Sequence, residues 1–154
     1  MKKSFFVLCA LLLSAVHAFG QPVVGTYKVI SFDFQIDGAD TKSYFGESPR
    51  GYIVLTKTLF ISMLASESRR PGRSDIEKAA LLDSMLAYTG PYHIDGNKLI
   101  VDVEASWTQV WTGKKQSRTW SMQGSRLTLV TDPAPYVRDP SKTVVATLVF
   151  EKIE

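Results

Sequence analysis

Cysteine is almost absent from this sequence. Its single cysteine, Cys9, lies within the first twenty residues, so the rest of the chain can form no disulfide and no cysteine-ligated metal site. Histidine is equally scarce. Beyond residue 20 only His93 remains, which excludes a metal site built from several histidines. The composition therefore predicts a protein that uses no metal and no cofactor.

A strong excess of charge of one sign is also missing. The chain has 18 lysines and arginines against 15 aspartates and glutamates, and Lys2 and Lys3 belong to its extreme N-terminus. A nearly neutral chain forms no large basic surface, so we expect no nucleic-acid partner. The sequence also lacks a Gly-x-Ser-x-Gly motif and a glycine-rich phosphate loop, which excludes the enzyme classes that depend on them.

Only one long apolar run is present. Residues 4–16 are mostly apolar, follow two lysines, and are fewer than the roughly 20 residues that span a bilayer. Small residues come next, at the spacing that signal peptidase recognises. We therefore predict a signal peptide in residues 1–20, with cleavage after Ala18 or Gly20. The protein would then be periplasmic or secreted.

The remaining residues, 21–154, are enough for one domain with its own hydrophobic core. No second apolar run in this range approaches the length of a membrane-spanning helix, so we expect no stable membrane insertion. No change in composition marks a linker. We predict a single domain over residues 21–154, present as a monomer.

Eight segments rich in aromatic and β-branched residues are separated by turn residues, which is typical of β-strands. They are residues 25–36, 51–56, 59–65, 90–95, 98–105, 115–122, 126–131 and 143–152. In the first segment, Tyr27 and Val29 have the opposite parity to Phe32 and Phe34. This break in the alternation predicts a β-bulge in a long strand that bends.

A single helix is predicted between the third and fourth strands. Ser74 and Glu77 have the spacing of a capping box at its start. Gly90 and Pro91 are expected to end it. The apolar stripe expected for this helix consists of Leu81, Leu82, Met85, Leu86 and Tyr88.

The connections between the predicted strands alternate in length. Those that join the second to third, fourth to fifth and sixth to seventh strands are two or three residues long, and the other four are long loops. In an up-and-down meander this alternation places every tight turn at one end and every long loop at the other. Eight such strands close into a barrel whose interior holds packed side chains or one small ligand. We therefore predict an all-β, eight-stranded antiparallel up-and-down barrel, with the long-loop end as its mouth and the helix as a lid or plug.

Several short motifs occur in the order found in one protein family. Residues 25–27 are similar to the Gly-x-Trp opening of lipocalins, with tyrosine in place of tryptophan, and Pro-Arg-Gly-Tyr at 49–52 resembles a strand start of the bacterial lipocalin-like domain family. Further matches are Leu86, Ala87, Tyr88, Gly90 and Tyr92 before Asp95 and Gly96, then Trp111, Gly113, Gln116 and Arg118 before Gly124 and Leu127. The resemblance implies a lipocalin-like barrel that binds a small apolar or amphipathic molecule.

Aromatic residues and one arginine are the candidate ligand-binding residues. They are Tyr52, Tyr92, Trp107, Trp111, Arg118 and Trp120. Flat aromatic side chains suit a concave apolar site, although the tryptophans could equally cap the barrel by packing. Arg118 shares a strand face with Trp120 and Met122, so it would point into the barrel and could hold a carboxylate or phosphate through its planar guanidinium. The alternatives for Arg118 are a structural ion pair with Asp102 or Glu104, or an outward position.

Asp102 and Glu104 are the candidate acid–base pair. They are two residues apart, hence on one strand face, and buried carboxylates in such a position could act as acid and base. Val101 and Val103 have the opposite parity and look more like core, which favours a solvated outer face for the two acids.

Three functions are compatible with these residues. The first is a binding barrel for a small apolar or amphipathic molecule, with Tyr52, Tyr92, Trp107 and Trp111 at its mouth and Arg118 as polar anchor. The second is an isomerase or cyclase, which would need an inward-facing ionisable pair. The third is a structural or interaction domain with a filled core.

Overall fold

The computed structural model describes residues 23–136 and 139–154. The predicted signal peptide, residues 1–20, lies outside this part of the chain. The strands are β1 (Gly25–Ile36), β2 (Lys42–Ser43), β3 (Arg50–Leu55), β4 (Leu59–Ala65), β5 (Met85–Asp95), β6 (Lys98–Asp102), β7 (Ala105–Ser106), β8 (Lys115–Gln123), β9 (Arg126–Thr131), β10 (Ala134–Tyr136) and β11 (Asp139–Lys152). One helix, α1 (Asp75–Asp83), lies between β4 and β5.

Eight strands form a closed antiparallel barrel. Their order around the wall is β1, β3, β4, β5, β6, β8, β9 and β11, and β11 pairs with β1 to close the circle. The short strands β2, β7 and β10 pair with the edges of β1, β5 and β11. This confirms the predicted fold, with the helix between the third and fourth strands of the wall.

The core fills much of the barrel interior, here called the lumen. Alternate residues of each strand point inward, and the cross-strand register aligns them: Val29 lies opposite Phe150, and Phe150 lies opposite Leu127. All three are buried, and Phe150 and Leu127 have no exposed surface. Each such side chain contributes about 1.5–3 kcal/mol by leaving water, so this seam between β1, β11 and β9 holds the barrel closed.

The bulge predicted in the first strand is confirmed. The register between β1 and β11 shifts between Val29 and Ser31, and Ile30 is left on the outside. Tyr27 and Val29 before the shift and Phe32 after it are all buried. The extra residue therefore lets one strand keep its apolar side chains in the lumen on both sides of a bend.

The helix is shorter than predicted. Its start is correct, because Ser74 is the N-cap and forms a capping box with Glu77, but it ends at Asp83 and β5 begins at Met85. Leu86 and Tyr88, expected on the helix, are buried strand residues opposite Leu64 and Ser62 of β4. Cross-strand hydrogen bonding to β4 outweighs the local helical pattern here.

The helix does not plug the barrel. None of its residues is buried, and Ile76 is 84% exposed. Hydrogen bonds from Arg69 hold its C-terminal end, to the carbonyl of Leu81 at 2.7 Å and the Oγ of Ser84 at 2.9 Å. The expectation of a plug is therefore wrong, since a plug would bury an apolar face. Within the described residues, no helix is long and apolar enough to cross a membrane.

The two ends of the barrel differ as the connection lengths predicted. Turns 56–58, 96–97 and 124–125 all lie at one end, here called the closed end. The long connections meet at the opposite end, the mouth, where Glu67 donates its backbone N–H to the carbonyl of Phe45 at 3.1 Å. The Glu67 carboxylate also accepts hydrogen bonds from the backbone of Glu47 and Ser48, at 3.1 and 3.0 Å. These contacts tie two mouth loops together.

Candidate functional site

One wall of the lumen carries polar as well as apolar side chains and is incompletely covered. The inward-facing residues of β8 are Gln116, Arg118, Trp120 and Met122, which lie opposite buried leucines and valines of β6 and β9. All four are only partly buried, whereas Leu99 and Val101 on the neighbouring β6 have no exposed surface. Accessible lumen surface therefore runs along β8.

Arg118 points into the lumen, as the strand parity predicted. It lies opposite Leu99 of β6 and Thr131 of β9, and both partners belong to inward-facing rows. Its Nη1 donates to the backbone carbonyl of Ser117 at 2.7 Å, and its Nη2 donates to Oε1 of Gln116 at 3.0 Å. These two bonds fix the guanidinium plane and leave other N–H groups free to donate.

The guanidinium of Arg118 forms no ion pair with a carboxylate of the chain. Asp132 lies further away, and its pKa is lowered mainly by the hydrogen bond from Lys98 and in part by the charge of Arg118. All 15 aspartates and glutamates lie in the described residues, and none approaches the guanidinium within the 4.0 Å of an ion pair. The expected pairing of Arg118 with Asp102 or Glu104 is therefore wrong. A partly buried charge without a partner is unfavourable unless another anion approaches it.

An aromatic cluster adjoins Arg118 at the mouth. The rings of Trp107 and Trp111 meet edge to face with centroids 4.8 Å apart, and Trp111 meets Tyr88 in the same way at 5.4 Å. The Cζ of Arg118 lies 5.9 Å from the ring centroid of Trp111, within cation–π range. Trp107 and Trp111 thus lie at the mouth, where the connection lengths placed them, beside the inward-facing Arg118.

Tyr88 contributes a neutral hydroxyl below these tryptophans. Burial raises the pKa of the Tyr88 phenol, while the positive charge of Arg118 acts in the opposite direction. Its ring stacks on Phe60 of β4 at 4.9 Å. Sequence reasoning missed Tyr88 as a site residue because it was assigned to the helix. The alternation of Leu86, Tyr88 and Gly90 was the pattern that could have identified it.

Trp120 lies deeper than the other two tryptophans. Its backbone N–H donates to the carbonyl of Asn97 in a closed-end turn at 2.8 Å, and its ring packs against the core. The indole Nε1–H is buried and has no hydrogen-bond acceptor among the described residues. A buried donor left without an acceptor costs about 1–3 kcal/mol.

Tyr52 does not line the mouth, so this assignment is wrong. It lies on the outer face of β3, 48% exposed, opposite Lys28 and Met63. The inward position is taken by Gly51, whose φ is +127° and whose Cβ, if present, would lie 2.0 Å from the carbonyl oxygen of Met63. Because the next inward residue is Ile53, Tyr52 must face outward.

Tyr92 lies at the closed end rather than at the mouth, which corrects a second assignment. Its hydroxyl donates to the carbonyl of Thr56 at 2.7 Å, and its backbone N–H donates to the carbonyl of Thr58. Burial raises the pKa of the Tyr92 phenol and that of the Tyr27 phenol. The Tyr27 hydroxyl donates to the backbone carbonyl of Val23 at 2.8 Å. The two tyrosines therefore stabilise the closed end.

Asp102 and Glu104 lie on the outside of the barrel. Asp102 forms an ion pair with Lys115, and its side chain is 44% exposed. Glu104 is exposed. The isomerase or cyclase hypothesis needed an inward-facing ionisable pair, and these two carboxylates do not provide it. The described residues contain no group of three or more histidine, cysteine or acidic side chains that could hold a metal ion.

The chain is similar to a solved structure and to a protein family. A crystal structure of an uncharacterized protein from Bacteroides eggerthii is similar to this chain, with 11% sequence identity, 84% of this chain and 98% of that chain covered, and a TM-score of 0.45. No curated protein matches the sequence. The model of the lipocalin-like domain matches residues 24–153, nearly all of the part that forms the barrel. On that match, the chain belongs to the lipocalin-like domain family.

Proposed function

We propose that this protein is exported and binds a small amphipathic anion in the lumen along β8. The anionic group would bind Arg118, and the apolar body would lie against Trp111 and Tyr88. The family supports a ligand-binding barrel at a general level. The observation that carries the specific proposal is an inward-facing guanidinium that has no carboxylate within ion-pair distance and lies beside an aromatic cluster.

The chemistry of the guanidinium favours a carboxylate. Arg118 is always charged, and its N–H groups match the two oxygens of a carboxylate in one plane. A hydrogen bond to a charged group contributes about 1.5–3 kcal/mol. The nearby Trp111 ring excludes water on one side, which strengthens the attraction compared with an exposed site.

The packed core limits the size of the ligand. Ile53, Phe60 and Leu99 are each at most 1% exposed, so the β3, β4 and β6 side of the lumen is filled. The accessible side is the inner face of β8, where the inward residues are only partly covered. A short ligand lying along β8 fits this distribution better than a long chain through the barrel axis.

Fluorescence of the tryptophans tests this binding. Titration of the protein with decanoate should change the emission, because Trp107 and Trp111 adjoin the proposed site. Arg118→Gln should raise the dissociation constant at least about 10-fold, since it removes a charge-assisted hydrogen bond. Arg126→Gln is the matched control, because Arg126 is 58% exposed on the outer wall. Equal affinity in the wild type and Arg118→Gln would refute the role of Arg118.

A filled-core domain is the second candidate, and the packing of the lumen favours it. Phe150 and Leu127 are fully buried and lie opposite each other on β11 and β9, as in a barrel that holds only its own side chains. If titration with decanoate and with 1-anilinonaphthalene-8-sulfonate produces no saturable change, this alternative replaces the binding proposal.

Export is tested separately from binding. The full chain should be expressed in a Gram-negative host, and the N-terminus of the periplasmic or secreted product should be sequenced. We expect it to begin at Phe19 or Gln21, which follow the two proposed cleavage sites. Recovery of the uncleaved chain in the cytoplasm would contradict export.

A further inference from the structure

One side of the outer surface of the barrel is apolar. The outward-facing residues of β3 and β4 lie side by side in the cross-strand register, Tyr52 opposite Met63 and Val54 opposite Ile61. Met63 is 63% exposed, and Tyr52 and Ile61 are exposed as well. Ile30, which the bulge leaves outside the lumen, extends this surface onto β1. These five residues are here called the apolar wall.

The opposite side of the outer surface is polar. β8 turns Ser117, Thr119 and Ser121 outward, and Thr128 of β9 lies opposite Ser121. β3 and β4, in contrast, contain no acidic residue, and Arg50 is their single charged residue. The exposed large apolar side chains of the strands therefore lie mostly on β1, β3 and β4 instead of being spread around the barrel. Apolar side chains grouped in this way on a surface mark an interaction site.

Opposite charges flank the apolar wall. On its β1 side, Lys28 lies opposite Tyr52, and Arg50 begins β3; both charged residues are exposed. On its β5 side, Glu104 is exposed, and its backbone N–H donates to the carbonyl of Thr89 at 2.9 Å. None of the three charged groups forms an ion pair within the described residues. The wall therefore has a basic edge and an acidic edge.

We propose that the apolar wall is the interface of a homodimer, in which each copy covers the wall of the other. An interface with two-fold symmetry uses the same surface on both copies, so that surface must carry both partners of each contact. A two-fold axis parallel to the strands places the basic edge of one copy over the acidic edge of the other, whereas an axis across the strands brings like charges together. The two edges therefore favour a second copy as the occupant and determine its orientation, with Lys28 of one copy near Glu104 of the other.

The size of the surface sets the strength of the dimer. Neighbouring strands are about 4.8 Å apart and successive residues about 3.4 Å, so the surface between the two edges measures about 15 by 20 Å. This is smaller than the roughly 800 Å² that each partner buries in a standard interface, and the charged edges add a polar rim. We therefore expect a dissociation constant on the order of 10 µM. This inference is independent of the ligand proposed for the lumen, and it replaces the expectation of a monomer.

Sedimentation velocity of the purified protein tests the dimer. The mean mass should rise from one chain towards two between about 1 and 200 µM, a range that includes the expected dissociation constant. Met63→Glu should weaken association at least about 10-fold, because it places an unpaired carboxylate in the apolar centre of the interface. Ser121→Glu is the matched control, since it adds the same charge at an exposed, outward position of β8 and should leave association unchanged. Both variants should keep the wild-type melting temperature at low concentration, because both positions are on the surface.

Exchange of the charges at the two edges tests the orientation. Lys28→Glu alone and Glu104→Lys alone should each weaken association about 3- to 10-fold, since each brings like charges together. The double variant restores opposite charges and should recover association to within about 2-fold of the wild type. Added salt should reduce these differences, because it screens exposed charges.

Three results would overturn this inference. A protein that remains monomeric at the highest concentration has no such dimer, and flotation with vesicles of anionic phospholipid would then assign the apolar wall to a membrane surface. Association that is unaffected by Met63→Glu, or weakened equally by Ser121→Glu, would place the interface elsewhere on the barrel. If Met63→Glu abolishes the dimer but the double charge exchange does not restore it, the two-fold axis parallel to the strands is wrong.

Discussion

At the scale of single residues, the buried Tyr88 hydroxyl makes the stability of the barrel depend on pH in the alkaline range. It is enclosed by the core, and burial raises the pKa of its phenol above the ordinary value of 10.0, with Arg118 opposing part of that rise. In the unfolded chain the phenol ionises near that ordinary value. The folded state therefore holds the proton to higher pH than the unfolded state does.

This difference gives the first prediction. Below about pH 10 both states keep the proton, so the contribution of Tyr88 to stability is fully present. As the pH rises above that value the unfolded state loses the proton first, and the free energy of unfolding should fall. Tyr88→Phe should reduce the decline between pH 9.5 and 11, measured by urea unfolding at each pH. Residual decline is expected from Tyr27 and Tyr92, whose pKa values are also raised by burial.

Tyr44→Phe is the control for this experiment, because Tyr44 is 53% exposed. Its stability should follow the wild-type curve against pH. If Tyr88→Phe declines as steeply as the wild type, the Tyr88 hydroxyl reaches water in the folded state.

The sequence predicted the position of some candidate site residues in the barrel correctly and of others wrongly. The sequence pattern gave the inward direction of Arg118, because β8 alternates regularly and one of its faces carries the larger side chains. It misplaced Tyr52, because the glycine before it takes the inward position and leaves no apolar partner to reveal the parity. It also misplaced Tyr92, because the predicted strand began at residue 90, whereas β5 begins at Met85, so Tyr92 lies further from the mouth than predicted.

At the scale of elements, α1 is a local structure attached to the barrel. Its capping box is formed by Ser74 Oγ, which accepts from the N–H of Glu77 at 3.3 Å, and by the Glu77 carboxylate, which accepts from the N–H of Ser74 at 2.8 Å. None of its residues is buried. With no apolar face covered, the caps and end contacts supply most of its stability.

The second prediction follows because α1 is stabilised mainly by its own caps and not by burial against the barrel. Ser74→Ala should cost about 1 kcal/mol of local helix stability by removing the cap. Amide hydrogen exchange in residues 78–83 should accelerate about 5-fold, while the melting temperature of the barrel stays unchanged. Ser121→Ala on an exposed strand position is the control. A fall in the global melting temperature would mean that α1 unfolds together with the barrel.

The same cap makes the helix sensitive to acid. Hydrogen bonds from the backbone of Ser74 and Arg73 and the Ser74 hydroxyl lower the pKa of Glu77 below its ordinary 4.5. A lowered pKa stabilises the folded helix above that value, and the stabilisation is lost as the pH falls through the folded pKa. The protection factors of the amides in residues 78–83, which correct for the slower intrinsic exchange in acid, should therefore fall as the pH falls.

The element boundaries show where sequence patterns stop being sufficient. The capping box located the start of α1 correctly, because a cap is local chemistry between two side chains and the adjacent backbone. The end was wrong because Leu81, Leu82, Met85 and Leu86 also fit a helical period. Only pairing with β4, between residues far apart in the chain, assigns Met85 and Leu86 to a strand.

At the scale of the whole molecule, connection lengths predicted the barrel better than any single strand did. Tight turns and long loops alternate along the chain, and an up-and-down meander converts that alternation into two different ends. How much of the lumen is filled by side chains could not be predicted, because this depends on how side chains from distant strands pack against each other across the lumen. The partly covered face of β8 beside fully buried residues of β6 is such a property.

Substitutions in the packed seam and substitutions on β8 should therefore have different effects on stability and on binding. Phe150 is completely buried in the seam that closes the barrel, so Phe150→Ala should lower the free energy of unfolding by about 3–5 kcal/mol. Arg118 places a charge on a partly buried wall with no carboxylate of the chain within ion-pair distance. Arg118→Met keeps much of the side-chain volume and removes that charge, so it should raise stability by about 1 kcal/mol. The same variant should lose carboxylate binding.

Urea unfolding and ligand titration on the same protein samples measure both effects. Arg126→Met on the exposed outer wall should change neither by more than about 0.5 kcal/mol. Folded Phe150→Ala at low temperature should still bind carboxylate, because Phe150 lies outside the β8 wall. If Arg118→Met instead destabilises the protein by more than about 1 kcal/mol, the bonds of Arg118 to Ser117 and Gln116 brace the barrel. A more stable variant that no longer binds would mean that the chain retains an unfavourable charge in its lumen for the ligand that neutralises it.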